Sequence, residues 1–167
     1  GTSMYDHIST PRGDREDVIV GAMEDVITEK AADVVLLCTD SFTRKAFDKI
    51  KFIVEKKINV ISSAEEMAYP MAQEPELAKE IDRLAKENGV SVLGTGINHG
   101  LIMDLLVILM TGCCEEVHSI LSRRVNSLSP FGPAVMHEQG IGITVDEFNK
   151  GVEDGTLAGH VGFHESI

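Results

Sequence analysis

The chain has 167 residues, 43% of them hydrophobic, and a formal net charge of −12. That length holds one full domain or parts of two. The acidic balance excludes nucleic acid and an anionic membrane surface as partners, because a phosphate layer needs a basic face and adjacent basic residues such as Lys56-Lys57 and Arg123-Arg124 make no patch.

Residues 1–17 are polar, carry Pro11 and Gly13, and read as a loop. Val18-Ile19-Val20 is a short apolar run, and a helical pattern follows near residues 22–30. Residues 32–38, Ala-Asp-Val-Val-Leu-Leu-Cys, form a continuous apolar run. Such a run is expected of a strand buried on both faces of a parallel sheet. Phe42, Ala46, Phe47, Ile50, Ile53 and Val54 recur at helical spacing, which predicts an amphipathic helix over 41–56 with Ser41 as N-cap. A second buried strand is expected at 58–61. A third helix is expected at 74–88, with Pro75 in its first turn and Gly89 as its stop.

Residues 90–104 read Val-Ser-Val-Leu-Gly-Thr-Gly-Ile-Asn-His-Gly-Leu-Ile-Met-Asp. A strand runs into a glycine-rich turn that opens a helix over about 98–111. Backbone N–H groups at such a junction suit an anionic or polar ligand. The spacing of Gly94, Gly96 and Gly100 is close to a dinucleotide fingerprint. That fingerprint normally belongs to the first βα unit of a sheet, and strand–helix units already precede this loop. The other reading is a close-packed turn without a ligand.

Strand and helix thus alternate to residue 111, as in a doubly wound parallel sheet. Beyond 112 the pattern changes. Residues 116–125 are expected to form a strand of a different, more exposed sheet, and 126–142 are rich in Gly, Pro and Ser. Thr144-Val145-Asp146-Glu147 is a capping box that starts another short helix. These features predict two parts, residues 1–112 from a dinucleotide-binding domain and residues 113–167 from the beginning of a substrate or oligomerisation domain. The chain opens on Gly1-Thr2-Ser3 and stops at Ile167 without a closing element, so a partial chain is expected.

Cys113 and Cys114 are vicinal and rarely bridge, which points to a reducing cytoplasm. No C-x-x-C or H-x-x-x-H spacing appears, so no metal site is expected. The longest apolar run, Leu101 to Met110, is too short for a bilayer.

The strand C-termini carry the chemistry expected of a ligand crevice. Thr39 and Ser41 follow the first buried strand, where they either donate to a ligand or cap the helix. Ser62, Ser63, Glu65 and Glu66 follow the second strand. One of the two adjacent carboxylates is expected to face the crevice, against the alternative of a solvated acidic turn. Asn98 is either an N-cap or a ligand contact, and His99 a general acid or a loop residue. Asp104 lies inside an apolar helix and needs a partner. Arg123, Arg124 and Asn126 suit a substrate carboxylate, and His160 sits between glycines as a catalytic candidate.

Four blocks, taken in order, resemble the 2,4-diaminopentanoate dehydrogenase family within the broader dihydrodipicolinate-reductase-like group. They are Glu65-Glu66-Met67-Ala68-Tyr69-Pro70, Gly94-Thr95-Gly96-Ile97-Asn98, Arg123-Arg124-Val125-Asn126 through Pro133, and Gly159-His160-Val161-Gly162-Phe163. The resemblance covers nearly the whole chain from about residue 32. It implies part of a Rossmann-like parallel sheet followed by the start of an α+β substrate domain, with the first fingerprint unit lacking. It also implies that loop 94–100 faces nicotinamide and substrate rather than pyrophosphate.

The activity implied is oxidative deamination, with NAD or NADP, of the C4 amine of 2,4-diaminopentanoate to 2-amino-4-oxopentanoate and ammonia, a step of ornithine degradation. The partners implied are a small diamino acid and, for the full-length form, a homo-oligomer. By this resemblance Thr39, Ser41, Ser62, Ser63 and Asn98 bind the cofactor. Glu65, Gly96, Arg123, Arg124 and Asn126 bind the substrate, while Glu66 and His160 are catalytic. His99 departs from the family's loop, where proline is expected, and so removes a fixed φ. Two other readings stand beside this one: a related amine or amino-acid dehydrogenase or reductase, and a fragment inactive alone with an interaction role.

Overall fold

The computed structural model describes residues 1–125, 127–157, 159–163, 165 and 166. Its centre is a parallel three-stranded sheet of β3 (Val34–Leu37), β4 (Asn59–Ser62) and β5 (Val92–Gly94), in that spatial order. Leu37 pairs with Ser62, and Ser62 with Gly94, so the three strands end level with one another on one edge. Ahead of the sheet, β1 (Thr2–Ser3) and β2 (Ile19–Val20) form a small antiparallel pair, followed by the single turn α1 (Met23–Val26).

Helices α2 (Thr43–Glu55) and α3 (Pro75–Asn88) connect the strands. Right-handed βαβ crossovers place both on the same face of the sheet, where they pack on each other. Ala46, Ile50, Ile53 and Val54 of α2 meet Leu37 and Val60 of the sheet and Ile81 and Leu84 of α3 in one core. Full burial of each large aliphatic side chain here contributes about 1.5–3 kcal/mol. Pro75 opens α3, and Gly89 closes it in the left-handed region at φ 67°, both as the sequence predicts.

The opposite face differs from the expectation of strands buried on both sides. Val34, Leu36 and Leu93 point away from the helices and are exposed, Leu36 at 67%. Alternate strand residues face opposite sides, and among the described residues no helix covers this side.

Past β5 the chain does not enter a regular α-helix. Residues Ile97–Leu105 form a π-helical segment broken at His99 and Gly100, and α4 (Leu106–Thr111) continues from it. The strand expected over 116–125 is absent, and these residues carry no regular structure. A strand gains nothing without a neighbour to complete its hydrogen-bond ladder, and none lies beside it among the described residues. Helix α5 (Pro133–Glu138) follows, then α6 (Val145–Glu153), which starts with the predicted reciprocal capping box of Thr144 and Glu147. No helix of the described residues is long and apolar enough to cross a membrane.

Candidate active site

Three loops leave the level edge of the sheet and are tied together by main-chain bonds. Ser63 N donates to Leu37 O at 3.1 Å, Thr95 N to Ser62 O at 2.9 Å, and Glu66 N to Ser41 O at 3.2 Å. A parallel sheet places every strand's C-terminus at one edge, so residues distant in sequence converge there.

The carboxylates of Glu65 and Glu66 diverge. Both lie in a 3₁₀ turn (Glu65–Ala68), whose tight winding sends successive side chains in different directions. Glu66 turns back to helix α2, where its Oε2 accepts from Thr43 N at 2.7 Å. It thus does the capping work expected of Ser41: α2 starts at Thr43, and Phe42, its N-cap, makes no side-chain cap bond. Burial pushes the Glu66 carboxyl above its ordinary range. The Thr43 N–H opposes this, and the charges of Glu165 and Glu74 add to it. Glu65 instead lines a cleft of about 410 Å³ together with Thr39, Ser41, Ser63, Val135 and Glu138. It also borders a smaller adjoining recess of about 70 Å³ that contains His160. The expected pairing of Glu66 with the crevice is therefore not the one its side chain makes.

Thr39 donates its hydroxyl to Asp40 and accepts from Lys49 Nζ, at 2.7 and 2.9 Å. The Lys49 ammonium, followed by the Thr39 hydroxyl, holds the Asp40 carboxyl below its usual range. Ser62, expected at the cofactor, is fully buried, and its Oγ accepts from Ala64 N at 3.2 Å. A hydroxyl committed to its own turn faces no ligand. Ser63 is exposed and lines the cleft. Asn98 is half-buried in the π-helical segment; the cap position there falls on Gly96, with no side-chain bond. Arg123 is exposed and Arg124 half-buried on the irregular stretch after α4, and neither lines the cleft or its recess. Asn126 lies outside the described residues.

The glycine loop is not a phosphate cradle in this geometry. The N–H of Gly100 is taken by Asp104 Oδ2 at 2.5 Å, so the loop's own carboxylate occupies the position of an incoming anion. Gly94 is required for packing, because a Cβ there would overlap the main-chain carbonyl of Met67. Gly100, at φ +100°, needs the freedom of glycine. Asp104 has the partner its apolar surroundings demand and also accepts from Ser166 Oγ at 3.1 Å.

His99 is 2% exposed, a burial that its place in a loop did not foretell. His160, Gly162, Phe163 and Ser166 lie against it. The ring lies 5.7 Å from His160 and 6.0 Å from Phe163, both edge-on. His99 Nδ1 meets Ser166 Oγ at 2.9 Å. That hydroxyl donates to Asp104 Oδ2, which leaves it free to accept from Nδ1 in the Nδ1–H tautomer. Gly162 leaves room for the ring, since a Cβ there would stand 2.6 Å from His99 Nε2.

Burial, then the neighbouring His160, lower the His99 pKa, against the opposing charges of Glu65 and Asp104. A histidine depressed in the folded state contributes stability that is complete above its unfolded pKa, about 6.5, and is lost as pH falls below it. The urea midpoint of the wild-type chain is expected to drop between pH 7.5 and 5.5. The drop is smaller in His99→Phe, and equal slopes in the two proteins would remove His99 as its source.

Residues 101–167 match the family model described as 2,4-diaminopentanoate dehydrogenase C-terminal domain. The whole chain is 97% identical over its 167 residues to the 2,4-diaminopentanoate dehydrogenase of Acetoanaerobium sticklandii and spans 47% of that relative's length. The relative carries the family name that the four sequence blocks pointed to, and the match runs over the whole chain rather than from about residue 32. Among solved structures, an amine dehydrogenase from Mycobacterium smegmatis superposes with a TM-score of 0.64 at 26% identity, covering 80% of this chain and 39% of that one.

Proposed function

We propose that a full-length protein carrying this segment is an NAD- or NADP-dependent dehydrogenase. It oxidatively deaminates the C4 amine of 2,4-diaminopentanoate to 2-amino-4-oxopentanoate and ammonia, as in ornithine degradation. The observation that carries this reading is the near-identity of every stretch of the chain to a dehydrogenase of that name.

The nicotinamide supplies the hydride acceptor for the amine-bearing carbon. The residues present fit that group, since the cleft is a polar strand-exit crevice with the hydroxyls of Thr39, Ser41 and Ser63 on its wall. The Ser41 and Ser63 hydroxyls hold the cofactor's amide, while Thr39, whose hydroxyl serves Asp40 and Lys49, closes the wall beside them. Glu65 takes a proton from the reacting amine and releases it to solvent, then takes one from the water that adds to the iminium; His160, across the same recess, gives a proton to the nitrogen of that adduct so that ammonia leaves, and the hydroxyl proton returns to His160 as the carbonyl forms. The family resemblance assigns the substrate carboxylate to Arg123, Arg124 and Asn126, although Arg123 and Arg124 line neither the cleft nor its recess in this segment, and it puts Gly96 and Asn98 beside the reacting end. Glu66 acts as a positioning residue that fixes the start of α2. Segments 1–112 and 113–167 contribute the cofactor and substrate sides, and the full-length form assembles as a homo-oligomer. The free thiols of Cys38, Cys113 and Cys114 suit a reducing cytoplasm.

A panel of diamines and amino acids, run with NAD and with NADP on the full-length protein, tests the reading. Fastest reduction with 2,4-diaminopentanoate is expected. Preference for a simple amine would favour the second reading, a related amine dehydrogenase, to which the structural likeness points. The 167 residues alone are expected to be inactive and to bind NAD only weakly, because the Gly100 N–H already serves Asp104. Micromolar binding in calorimetry would overturn that expectation.

A further inference from the structure

Glu65 and His160 meet at the recess on two different kinds of backbone. Glu65 stands in a 3₁₀ turn bonded to the loop after β3 through Glu66 N and Ser41 O. His160 stands in residues 159–163, which form bends and turns with no helix or strand. Gly159 and Gly162 on either side of it take φ +65° and +96°. Gly159 N donates to Glu138 O at 3.1 Å and ties the start of this stretch to the end of α5. A half-buried ring on such backbone keeps one orientation only if something rigid packs against it.

His99 is that neighbour. Its ring stands edge-on to His160 at 5.7 Å, and Phe163 closes the other side at 4.6 Å from His160. His160 Nδ1 donates to Val161 O at 2.8 Å, which leaves Nε2 to exchange protons.

His99 is itself held from behind and in front. Behind it, Nδ1 meets Ser166 Oγ at 2.9 Å, that hydroxyl donates to Asp104 Oδ2 at 3.1 Å, and Asp104 also takes the Gly100 N–H. The bonds thus return to the loop that carries His99. In front, buried Gly162 is wedged between His99 and Glu65: a Cβ there would stand 2.6 Å from His99 Nε2 and equally close to Glu65 Cβ. His99 therefore touches the His160 ring directly and reaches Glu65 through one glycine. Yet it is 2% exposed and lines neither the cleft nor the recess, so it passes no proton to a substrate.

We infer that His99 is a positioning residue, whose ring fixes where His160 stands opposite Glu65. The kinetic consequence rests on the dehydrogenase reading; the placement is a property of the 167 residues.

The test is a double-mutant cycle in the full-length protein. His99→Leu fills the space but removes the flat ring and the Nδ1 donor. It is expected to lower kcat/KM for 2,4-diaminopentanoate about 10–100-fold, the usual loss from a small misplacement, with KM for the nicotinamide cofactor unchanged. His99→Phe restores a ring and is expected to return kcat/KM to within about threefold of the wild type. In a His160→Ala background His99→Leu is expected to cost less than about twofold, because no His160 remains to be placed. A general loss of folded enzyme would cost the same in both backgrounds. In parallel, nuclear Overhauser contacts between the rings of His160 and Phe163 are measured in the 167-residue chain. They are expected in the wild type and in His99→Phe, and are lost in His99→Leu. Circular dichroism checks each fold.

An undiminished loss in the His160→Ala background, no recovery with His99→Phe, or unchanged ring contacts in a folded His99→Leu would overturn the inference. Should His99→Leu not fold, Ser166→Ala, which removes the acceptor of His99 Nδ1, takes its place in both measurements. Ring contacts that behave as expected, in an enzyme indifferent to His160→Ala, would remove His160 from the reaction and leave the placement standing.

Discussion

Glu65→Gln in the full-length protein is expected to lower kcat by about 10²–10⁴-fold, the usual contribution of a positioned general base. Its neighbour is expected to behave otherwise. Glu66→Ala removes the acceptor for Thr43 N, costing about 1–2 kcal/mol of stability as other lost helix caps do, while kcat stays within a few-fold. Activity assays and urea denaturation on both variants separate the roles. If Glu66→Ala abolished turnover in a folded protein and Glu65→Gln did not, the assignment of the base to Glu65 would be lost. The contrast rests on where the two side chains go: one into the cleft with Ser41 and Ser63, the other onto a helix end.

Gly94→Ala is expected to cost more than any other single methyl group added to this chain. The new carbon would overlap the Met67 carbonyl, and Ala68 N would stand 2.9 Å away. Main chain cannot swing aside as a flexible side chain does, so either the 3₁₀ turn 65–68 or the end of β5 must move. Overpacking in a core costs about 1–3 kcal/mol and sometimes more. Here about 3 kcal/mol or above is expected, a fall of roughly 1–3 M in the urea midpoint. The displaced turn carries both glutamates, so full-length Gly94→Ala should also lose activity. A variant as stable and active as the wild type would mean that the turn does not rest on β5.

Much of the frame was legible because it depends on near neighbours in sequence. Pro75 and Gly89 bound α3, Thr144 and Glu147 form a capping box, and the apolar runs at 34–37 and 59–62 are parallel strands. The convergence of Thr39, Ser41, Ser63 and Glu65 followed from the rule that parallel strands end at one edge. The division of labour between Glu65 and Glu66 was not legible, because nothing in the letters marks residues 65–68 as a 3₁₀ turn. The extended strand at 116–125 failed because the apolar pattern gives a strand's face but not its partner. Glu165 and Ser166 escaped notice altogether. Their one trace was indirect: Asp104, set among apolar residues, had to find a donor, and Ser166 is one of those it finds.

Helices α2, α3 and α6, the parallel strands and the family resemblance could be read from residue order, since propensity, capping and periodicity act over a few residues. Packing between distant segments set which glutamate faces the cleft, the burial of His99 under Gly162, and the capture of the Gly100 N–H by Asp104. Those outcomes depend on contacts between segments up to 67 residues apart, such as His99 with Ser166. Such contacts are fixed by packing and by the satisfaction of buried polar groups, which have no signature in the local order of residues.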